Sequence, residues 1–441
     1  MVVMSMSRKG TLQSICPVTS CEKHMRTTPH LSPGTKGPRE RMNYDAIVVG
    51  AGPAGCAAAY DLAVAGHSVL LLDKVPFPRI KVCAGALTIK TLKALRYSIE
   101  PVIKGWCTNF IAGRGTDLAQ PFHGRHPIAG MTVRSEFDHF CLQRTIEAGA
   151  QFRIIPRIRE VAEYPDQIVL HTDSVALTAR FLVGADGATS RIRKMTNQFS
   201  TIKLGVAIEA MAPLKPTDLH AVEFDFGVIE SGYGWIFPKD NHYNVGLYTK
   251  SKSAAFSKDA LKDYLCKKLG DESLTNFAGC SIGLGGETYT PSSKRILLAG
   301  DAAGLTDPLL GEGIYNAIKS GQAAASAIHL ELSRGVPVLQ TFTKELKVIQ
   351  DDLVAINRWT EWFYSDLHQG YQALTLPIVR YALMKGFASG RTFRFIRRFF
   401  FLSPFFRAKF PTLDSRRTLL GRTINGPHSP PSDPLRGEPP P

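Results

Sequence analysis

Three glycines and one acid near the start of the chain have the spacing of a dinucleotide-binding site. Gly50, Gly52 and Gly55 form a G-x-G-x-x-G pattern with Ala54 inside it, and Asp73 follows 21 residues after Gly52. In such a pattern the glycines allow a tight turn, a close approach of the backbone to a pyrophosphate, and close packing of helix on strand. The acid is placed to bond a ribose hydroxyl. We therefore predict a binding site for NAD or FAD.

A second motif, in the last third of the chain, favours FAD. The apolar run 296–299 delivers an acid into a turn of small residues, and glycines then open a helix. The acid can bond a ribityl hydroxyl, while the helix N–H groups can face the flavin pyrimidine edge or a phosphate. The cofactor-binding residues predicted here are Asp301, Gly311, Gly313 and Ile314.

A third motif, Val183–Gly187 with Asp186 inside it, lies between the other two. Three motifs in this order resemble the flavoprotein group with the para-hydroxybenzoate hydroxylase fold. The resemblance implies bound FAD, with Asp186 among the residues at the cofactor.

The segment Phe77–Leu87 resembles the Pro-x-x-Lys-x-Cys-Gly-Gly signature of the geranylgeranyl reductase family, with Ala84 where the family usually has glycine. In that family the loop touches the isoalloxazine ring and the ribityl chain. Arg134 matches an arginine that many relatives place beside the FAD. The resemblance implies cofactor contacts from Lys81, Cys83, Ala84, Ala86 and Arg134.

Three aromatic residues alternate along one predicted strand. Tyr233, Trp235 and Phe237 point to one face of it, and they match the family's Tyr-x-Trp-x-Phe-Pro signature. Such a face offers an apolar wall to an isoprenoid substrate; the alternative is an aromatic core stripe.

The resemblance implies an FAD-dependent reductase that saturates isolated double bonds of a polyprenyl chain carried on a diphosphate, a lipid, a chlorophyll or a quinone. Cys83 is the candidate catalytic residue, either assisting protonation or tuning the flavin. No second strand–G-x-G-x-x-G–helix unit exists for a nicotinamide cofactor, so NAD(P)H must dock transiently or ferredoxin must replace it. Two alternatives remain open: a flavin-dependent monooxygenase or halogenase of the same fold, and a non-catalytic FAD-containing binder of prenyl lipid.

The elements that must position these residues are of the α/β (α+β) class. A strand–helix–strand pattern over 46–72 predicts a Rossmann-like FAD-binding domain, and alternating aromatic segments predict an inserted, mainly antiparallel β-sheet domain. A C-terminal helical segment follows. The predicted parts are a disordered basic leader (1–42, with Met42 as a possible start), a discontinuous FAD-binding domain (43–200 and 290–335), a substrate domain (200–290), a basic aromatic helical region (336–423) and a disordered Pro-rich tail (424–441).

The net charge of +15 is concentrated near the chain ends. Residues 377–423 contain eleven Lys and Arg against Asp414 alone, interleaved with aromatic rings. This pattern is typical of a segment at an anionic membrane surface, and no nucleic-acid-binding module accompanies it. We therefore expect a cytoplasmic protein peripheral at the membrane, with organelle targeting by 1–42 left open. The dispersed cysteines predict no metal site.

Overall fold

The computed structural model describes residues 43–402 except 117, 215–220, 252–255 and 271–272. The predicted leader, the Pro-rich tail and the part of the basic region after residue 402 lie outside the described residues. The strands are β1 Asn43–Val49, β2 Val69–Asp73, β3 Ala86–Thr88, β4 Gly105–Cys107, β5 Asn109–Arg114, β6 Leu118–Phe122, β7 Ala129–Met131, β8 Gln151–Ile154, β9 Ile158–Glu163, β10 Ile168–Thr172, β11 Ala176–Gly184, β12 Lys203–Pro213, β13 Ala221–Phe226, β14 Gly232–Pro238, β15 His242–Thr249, β16 Thr275–Leu284 and β17 Ile296–Leu298. The α-helices are α1 Pro53–Val64, α2 Ile89–Ala94, α3 Arg134–Glu147, α4 Arg191–Met195, α5 Lys258–Leu269, α6 Ile314–Arg334, α7 Val338–Ser365, α8 Leu367–Thr375, α9 Pro377–Ser389 and α10 Phe393–Ile396, and short 3-10 helices cover Glu100–Val102, Gly286–Thr288, Gly300–Ala303 and Arg397–Leu402.

The first sheet brings the three predicted cofactor motifs to one edge. Its strand order is β8-β2-β1-β11-β10-β9, and β17 pairs with β11. Strands β8, β2, β1, β11 and β17 run parallel, so their carboxyl ends meet at the same edge. Gly50, Asp73, Asp186 and Asp301 follow or end four of these strands, so they converge there as a Rossmann-like arrangement requires.

The second sheet is larger than the sequence analysis predicted. Its order is β16-β12-β15-β14-β13-β5-β6, and all its pairs are antiparallel except β13 with β5. Strands β5 and β6 come from 109–122, a stretch that the analysis placed in the FAD-binding domain. The segment 109–122 therefore belongs to the second sheet. Local periodicity cannot reveal it, because the β5–β13 pairing joins residues that are distant in sequence.

The helices connect the cofactor edge to the second sheet. Helices α1 and α6 cross closely at Gly321, where an added Cβ would lie 2.1 Å from the Ala54 carbonyl oxygen. After Gly335, α7 and α8 pack on the second sheet: the Phe363 and Phe226 ring centroids are 5.0 Å apart, and the Tyr371 hydroxyl donates to the Ala112 carbonyl. None of the helices in the described part of the chain combines the length and the apolar character needed to cross a membrane.

Candidate active site

The first glycine turn has the geometry that the sequence pattern requires. Gly50 has a φ of +103°, and an added Cβ would lie 2.3 Å from the Ala185 carbonyl oxygen. At Gly55 an added Cβ would lie 1.7 Å from the Gly50 carbonyl oxygen. The Asp73 carboxylate accepts a hydrogen bond from the Ala51 N–H at 2.9 Å, which fixes the turn against the end of β2. Side chains larger than hydrogen are excluded at both glycines.

The residues around this turn fit a dinucleotide. An added Cβ at Gly52 would meet only the Arg79 Nη2, at 3.6 Å, so the backbone there is open to a ligand. The Nε of Arg79 is buried and has no hydrogen-bond partner within the described residues. Helices α1 and α6 begin after Gly52 and Gly313, and no side chain caps either N-terminus. Unsatisfied N–H donors at two helix ends suit the phosphates and the pyrimidine edge of FAD.

The carboxylates of the two other predicted acids, Asp301 and Asp186, have different hydrogen-bond partners. The Asp301 carboxylate accepts from the Thr306 hydroxyl at 2.9 Å and lies beside Gly313. The Asp186 carboxylate accepts from the Ser190 hydroxyl at 2.5 Å and from the Arg191 N–H at 2.7 Å, within its own turn. Asp186 therefore shapes the turn after β11, and direct contact between its side chain and the cofactor stays a prediction. Ile314, the first residue of α6, is buried.

The loop 81–85, called the cysteine loop below, is held by groups from the second sheet and from the residue after β14. The Cys83 N–H donates to Glu209 Oε2 at 2.8 Å, and Lys239 Nζ donates to the Ala84 carbonyl at 2.5 Å. The Gly85 N–H points at the Cys83 sulfur, at 3.4 Å. Ala86 begins β3 directly after these residues. The loop is therefore fixed through its backbone, and the Cys83 side chain is half-buried.

The positions of Arg134 and Lys81 relative to this loop also follow from the structure. Arg134 opens α3, is buried, and forms a two-point ion pair with Asp138 at 2.8 and 2.9 Å. It also interacts electrostatically with Cys83. Lys81 lies near Cys280 on β16, whose thiol pKa is raised by burial to about 11 although Lys81 opposes the shift. Lys81 is therefore part of the cysteine loop, and Arg134 lies next to it.

The predicted aromatic face has polar atoms that hold the loops of the site. Trp235 Nε1 donates to Asn244 Oδ1 at 2.8 Å, and Asn244 Nδ2 donates to Glu209 Oε2 at 3.2 Å. Through Glu209, this chain of hydrogen bonds ends at the backbone of Cys83. The Tyr233 hydroxyl donates to the carbonyl of Leu310, directly before the glycines that lead into α6.

Phe237 has no polar atom and packs against Phe224 with ring centroids 5.1 Å apart. All three residues predicted to contact substrate, Tyr233, Trp235 and Phe237, are about 95% buried. Two of them thus support the loops on either side of the cofactor edge, and contact of the rings with substrate stays a prediction.

Sequence analysis did not single out the two ionisable groups that hold the cysteine loop. Burial lowers the pKa of Lys239 to about 8 and raises the pKa of Glu209 above its usual value. Glu209 interrupts the otherwise apolar run 206–212 of β12, and Lys239 directly follows the aromatic motif. A charged residue inside an apolar strand is the signal that could have identified Glu209, because buried charges are rare unless partnered.

An apolar cavity lies between the second sheet, the segment 307–312 and the C-terminal helices. The space between its walls, with the part that opens to solvent included, is about 840 Å³. None of the three predicted substrate residues lines it. Its lining residues are Lys90, Phe110, Phe226, Asp307, Leu309, Leu310, Glu312, Asn316, Asp352, Leu353, Ile356, Trp359, Phe363, Leu374, Val379, Leu383, Phe387, Arg391, Phe393 and Phe400.

One wall of this cavity leads to the cofactor edge. Leu309 and Leu310 line the cavity, and Gly311 to Ile314 follow them directly in the second FAD motif. Asp307 accepts hydrogen bonds from the N–H groups of both leucines, and its burial raises its pKa to about 7. One short segment therefore contributes both to the cavity and to the predicted flavin contacts.

Comparison with known proteins agrees with this geometry. Residues 45–191 match the family described as FAD dependent oxidoreductase, and residues 165–356 match the FAD binding domain family. A solved structure of a geranylgeranyl bacteriochlorophyll reductase-like protein from Thermoplasma acidophilum superposes with a TM-score of 0.67 at 20% identity, covering 86% of this chain and 99% of that protein. The fold and these matches define an FAD-dependent oxidoreductase.

Two curated relatives narrow the class. Geranylgeranyl diphosphate reductase of Rhodobacter capsulatus is 30% identical over 308 residues, which cover 67% of this chain and 78% of the relative. Digeranylgeranylglycerophospholipid reductase of Methanosarcina mazei is 29% identical over 313 residues, covering 66% of this chain and 76% of the relative. The chain belongs to the geranylgeranyl reductase family of FAD-dependent oxidoreductases.

Proposed function

We propose that the protein saturates isolated double bonds of a polyprenyl chain that lies in the apolar cavity. The observation that carries this proposal is the continuity between the cavity wall at Leu309 and Leu310 and the glycine turn that opens α6. An extended apolar chain in the cavity would end against the cofactor edge. The names of the relatives, which include reductases of geranylgeranyl diphosphate and of a digeranylgeranyl phospholipid, support the same substrate class.

When bound, FAD supplies the hydride for such a reduction, and the protein must supply the environment. An isolated double bond has no carbonyl to polarise, so water must be excluded and the chain must be held in place over the flavin. The aliphatic and aromatic side chains that line the cavity would exclude water from the substrate. We further propose that Cys83, in the loop held by Glu209 and Lys239, assists protonation or tunes the flavin.

The proposed function also requires an electron donor and a place where the protein meets its substrate. We propose that NAD(P)H docks transiently or that ferredoxin delivers the electrons. We also propose that the protein works at a membrane surface, where prenyl lipids reside and where its basic aromatic C-terminal region would contact anionic headgroups.

Mass spectrometry of products tests the reaction. The FAD-loaded protein is reduced with dithionite without oxygen and incubated separately with geranylgeranyl diphosphate, a digeranylgeranyl phospholipid and menaquinone. Each saturated bond adds about two mass units, because one hydride and one proton are gained. A reduced flavin that leaves every substrate unchanged in mass would contradict the proposal. Stoichiometric oxygen uptake in air with a hydroxylated, epoxidised or halogenated product would instead identify a monooxygenase or halogenase.

A further inference from the structure

The C-terminal segment concentrates arginines next in sequence to residues that line the apolar cavity. Arg358 lies on α7, and Arg394, Arg397 and Arg398 lie on α10 and the 3-10 helix after it. These four residues are called the arginine cluster below. Arg394 pairs with Asp351 at 3.0 Å. Within the described part of the chain, the other three have no carboxylate at ion-pair distance.

The other three members of the cluster lie close enough to Arg397 to repel its charge. Burial, and then the positive charges of Arg394, Arg358 and Arg398, lower the pKa of Arg397, while Asp352 offsets part of this effect. The Nε of Arg397 is buried and has no hydrogen-bond partner among the described residues. Like charges held together with an unused donor are unfavourable on their own. A bound anion would relieve both the repulsion and the unsatisfied donor.

Aromatic packing ties the cluster to the cavity. The rings of Trp359, Phe393 and Phe400 all line the cavity and lie 5.2 to 6.0 Å from one another, centroid to centroid. Each ring is a near neighbour in sequence of a cluster arginine. Arg391 lines the cavity and is itself exposed, so the cavity meets solvent on this side.

We propose that the arginine cluster binds the phosphate or diphosphate head of the prenyl substrate whose chain fills the cavity. This inference rests on the proposed function and narrows it, because it selects phosphate-bearing substrates over those with chlorophyll or quinone heads. Guanidinium groups suit phosphate oxygens because they present planar, paired donors. A head held at the mouth fixes how far the chain reaches toward the flavin.

Paired substrates test the proposal in the full-length, FAD-loaded protein. Geranylgeranyl diphosphate and geranylgeraniol have the same chain and differ in the head. We expect a KM for the diphosphate at least about tenfold below that for the alcohol, as charge-assisted contacts allow. The double variant Arg397→Gln/Arg398→Gln should raise the diphosphate KM roughly tenfold and leave alcohol turnover unchanged. Arg398→Gln alone, at an exposed residue, should show part of the effect without risk to folding.

A matched control is Arg157→Gln, which removes an exposed arginine between β8 and β9 and should change neither KM. An unchanged diphosphate KM in the double variant would overturn the inference. It would also be overturned if the double variant lost binding to phosphatidylglycerol vesicles, relative to phosphatidylcholine vesicles, while the ratio of the two KM values stayed intact. The cluster would then be a membrane contact.

Calorimetric titration with inorganic diphosphate separates this inference from the proposed function. If the wild-type protein turns over neither prenyl compound, the proposed function fails. The cluster still predicts that inorganic diphosphate binds the wild-type protein and the Arg157→Gln control more tightly than the double variant. If the wild type, the control and the double variant bind inorganic diphosphate equally, the proposed phosphate site is wrong, whatever the catalytic result.

Discussion

Replacing the buried lysine beside the cysteine loop should change how stability depends on pH. Burial lowers the pKa of Lys239 from 10.5 to about 8. Between these two pH values the unfolded chain holds a proton that the folded chain has lost, so the stability of the wild-type protein rises with pH in this window. Relative to the unfolded chain, the burial of this lysine lowers the free energy of unfolding by about 3 kcal/mol at pH 7 and by about 1 kcal/mol at pH 10.

Lys239→Met removes this titration. The variant also loses the hydrogen bond to the Ala84 carbonyl, a loss of roughly 1–3 kcal/mol that depends little on pH. The difference in unfolding free energy between variant and wild type should therefore shift by about 2 kcal/mol in favour of the wild type from pH 7 to pH 10. Urea unfolding at both pH values, with the same FAD concentration throughout, measures this shift.

The matched control is Lys262→Met on α5, where the lysine side chain is half exposed and pairs only loosely with Asp259, at 3.8 Å. It should follow the wild-type pH dependence. If the Lys239→Met and wild-type curves stay parallel between pH 7 and pH 10, the inference that Lys239 is a destabilised buried cation is refuted.

Three further predictions concern the cofactor, the thiol and the cavity. Gly50→Ala should be purified with little flavin, read from its visible absorbance, because the new Cβ would lie 2.3 Å from the Ala185 carbonyl oxygen; a fully yellow variant would contradict the geometry of the turn. Cys83→Ser should keep its flavin and lose prenyl saturation by at least about tenfold, as expected for a group that assists proton transfer, whereas full activity would remove that role. Ile356→Trp, which fills the cavity, should abolish turnover while dithionite still reduces the flavin, and Ile356→Leu should retain turnover; an active tryptophan variant would place the substrate elsewhere.

The cofactor turns could be predicted from sequence because steric limits act on single residues. Gly50 and Gly55 tolerate no side chain, and the carboxylate of Asp73 bonds the turn between them. Such constraints act within a few residues, so they produce a recognisable spacing of glycines in the sequence. The order of the strands that carry them follows from the rules of parallel sheets.

The cavity could not be predicted in the same way. Half of its lining residues belong to α7 to α10, whose apolar residues alternate with charged ones as in any amphipathic helix. Nothing in that pattern tells a core-facing side chain from a cavity-facing one. The position of the cavity also depends on the pairing of β5 with β13, which is set by tertiary packing. The hydrogen-bonded path from Trp235 to Glu209 could not be predicted either. Its members lie on different strands, and such partners have no fixed spacing in the sequence.

The residues that line the cavity and the residues of the cofactor turns come largely from different parts of the chain, and this affects how such a protein can acquire new substrates. Twelve of the twenty residues that line the cavity lie after position 350, whereas the glycine turns and the cysteine loop come before Gly335. Under the proposed function, selectivity for chain length and head group would change mainly through substitutions in this segment, which leave the glycine turns and the cysteine loop unaltered. Exchanging everything after Gly335 between homologues is the natural crossover for building reductases with altered substrate range.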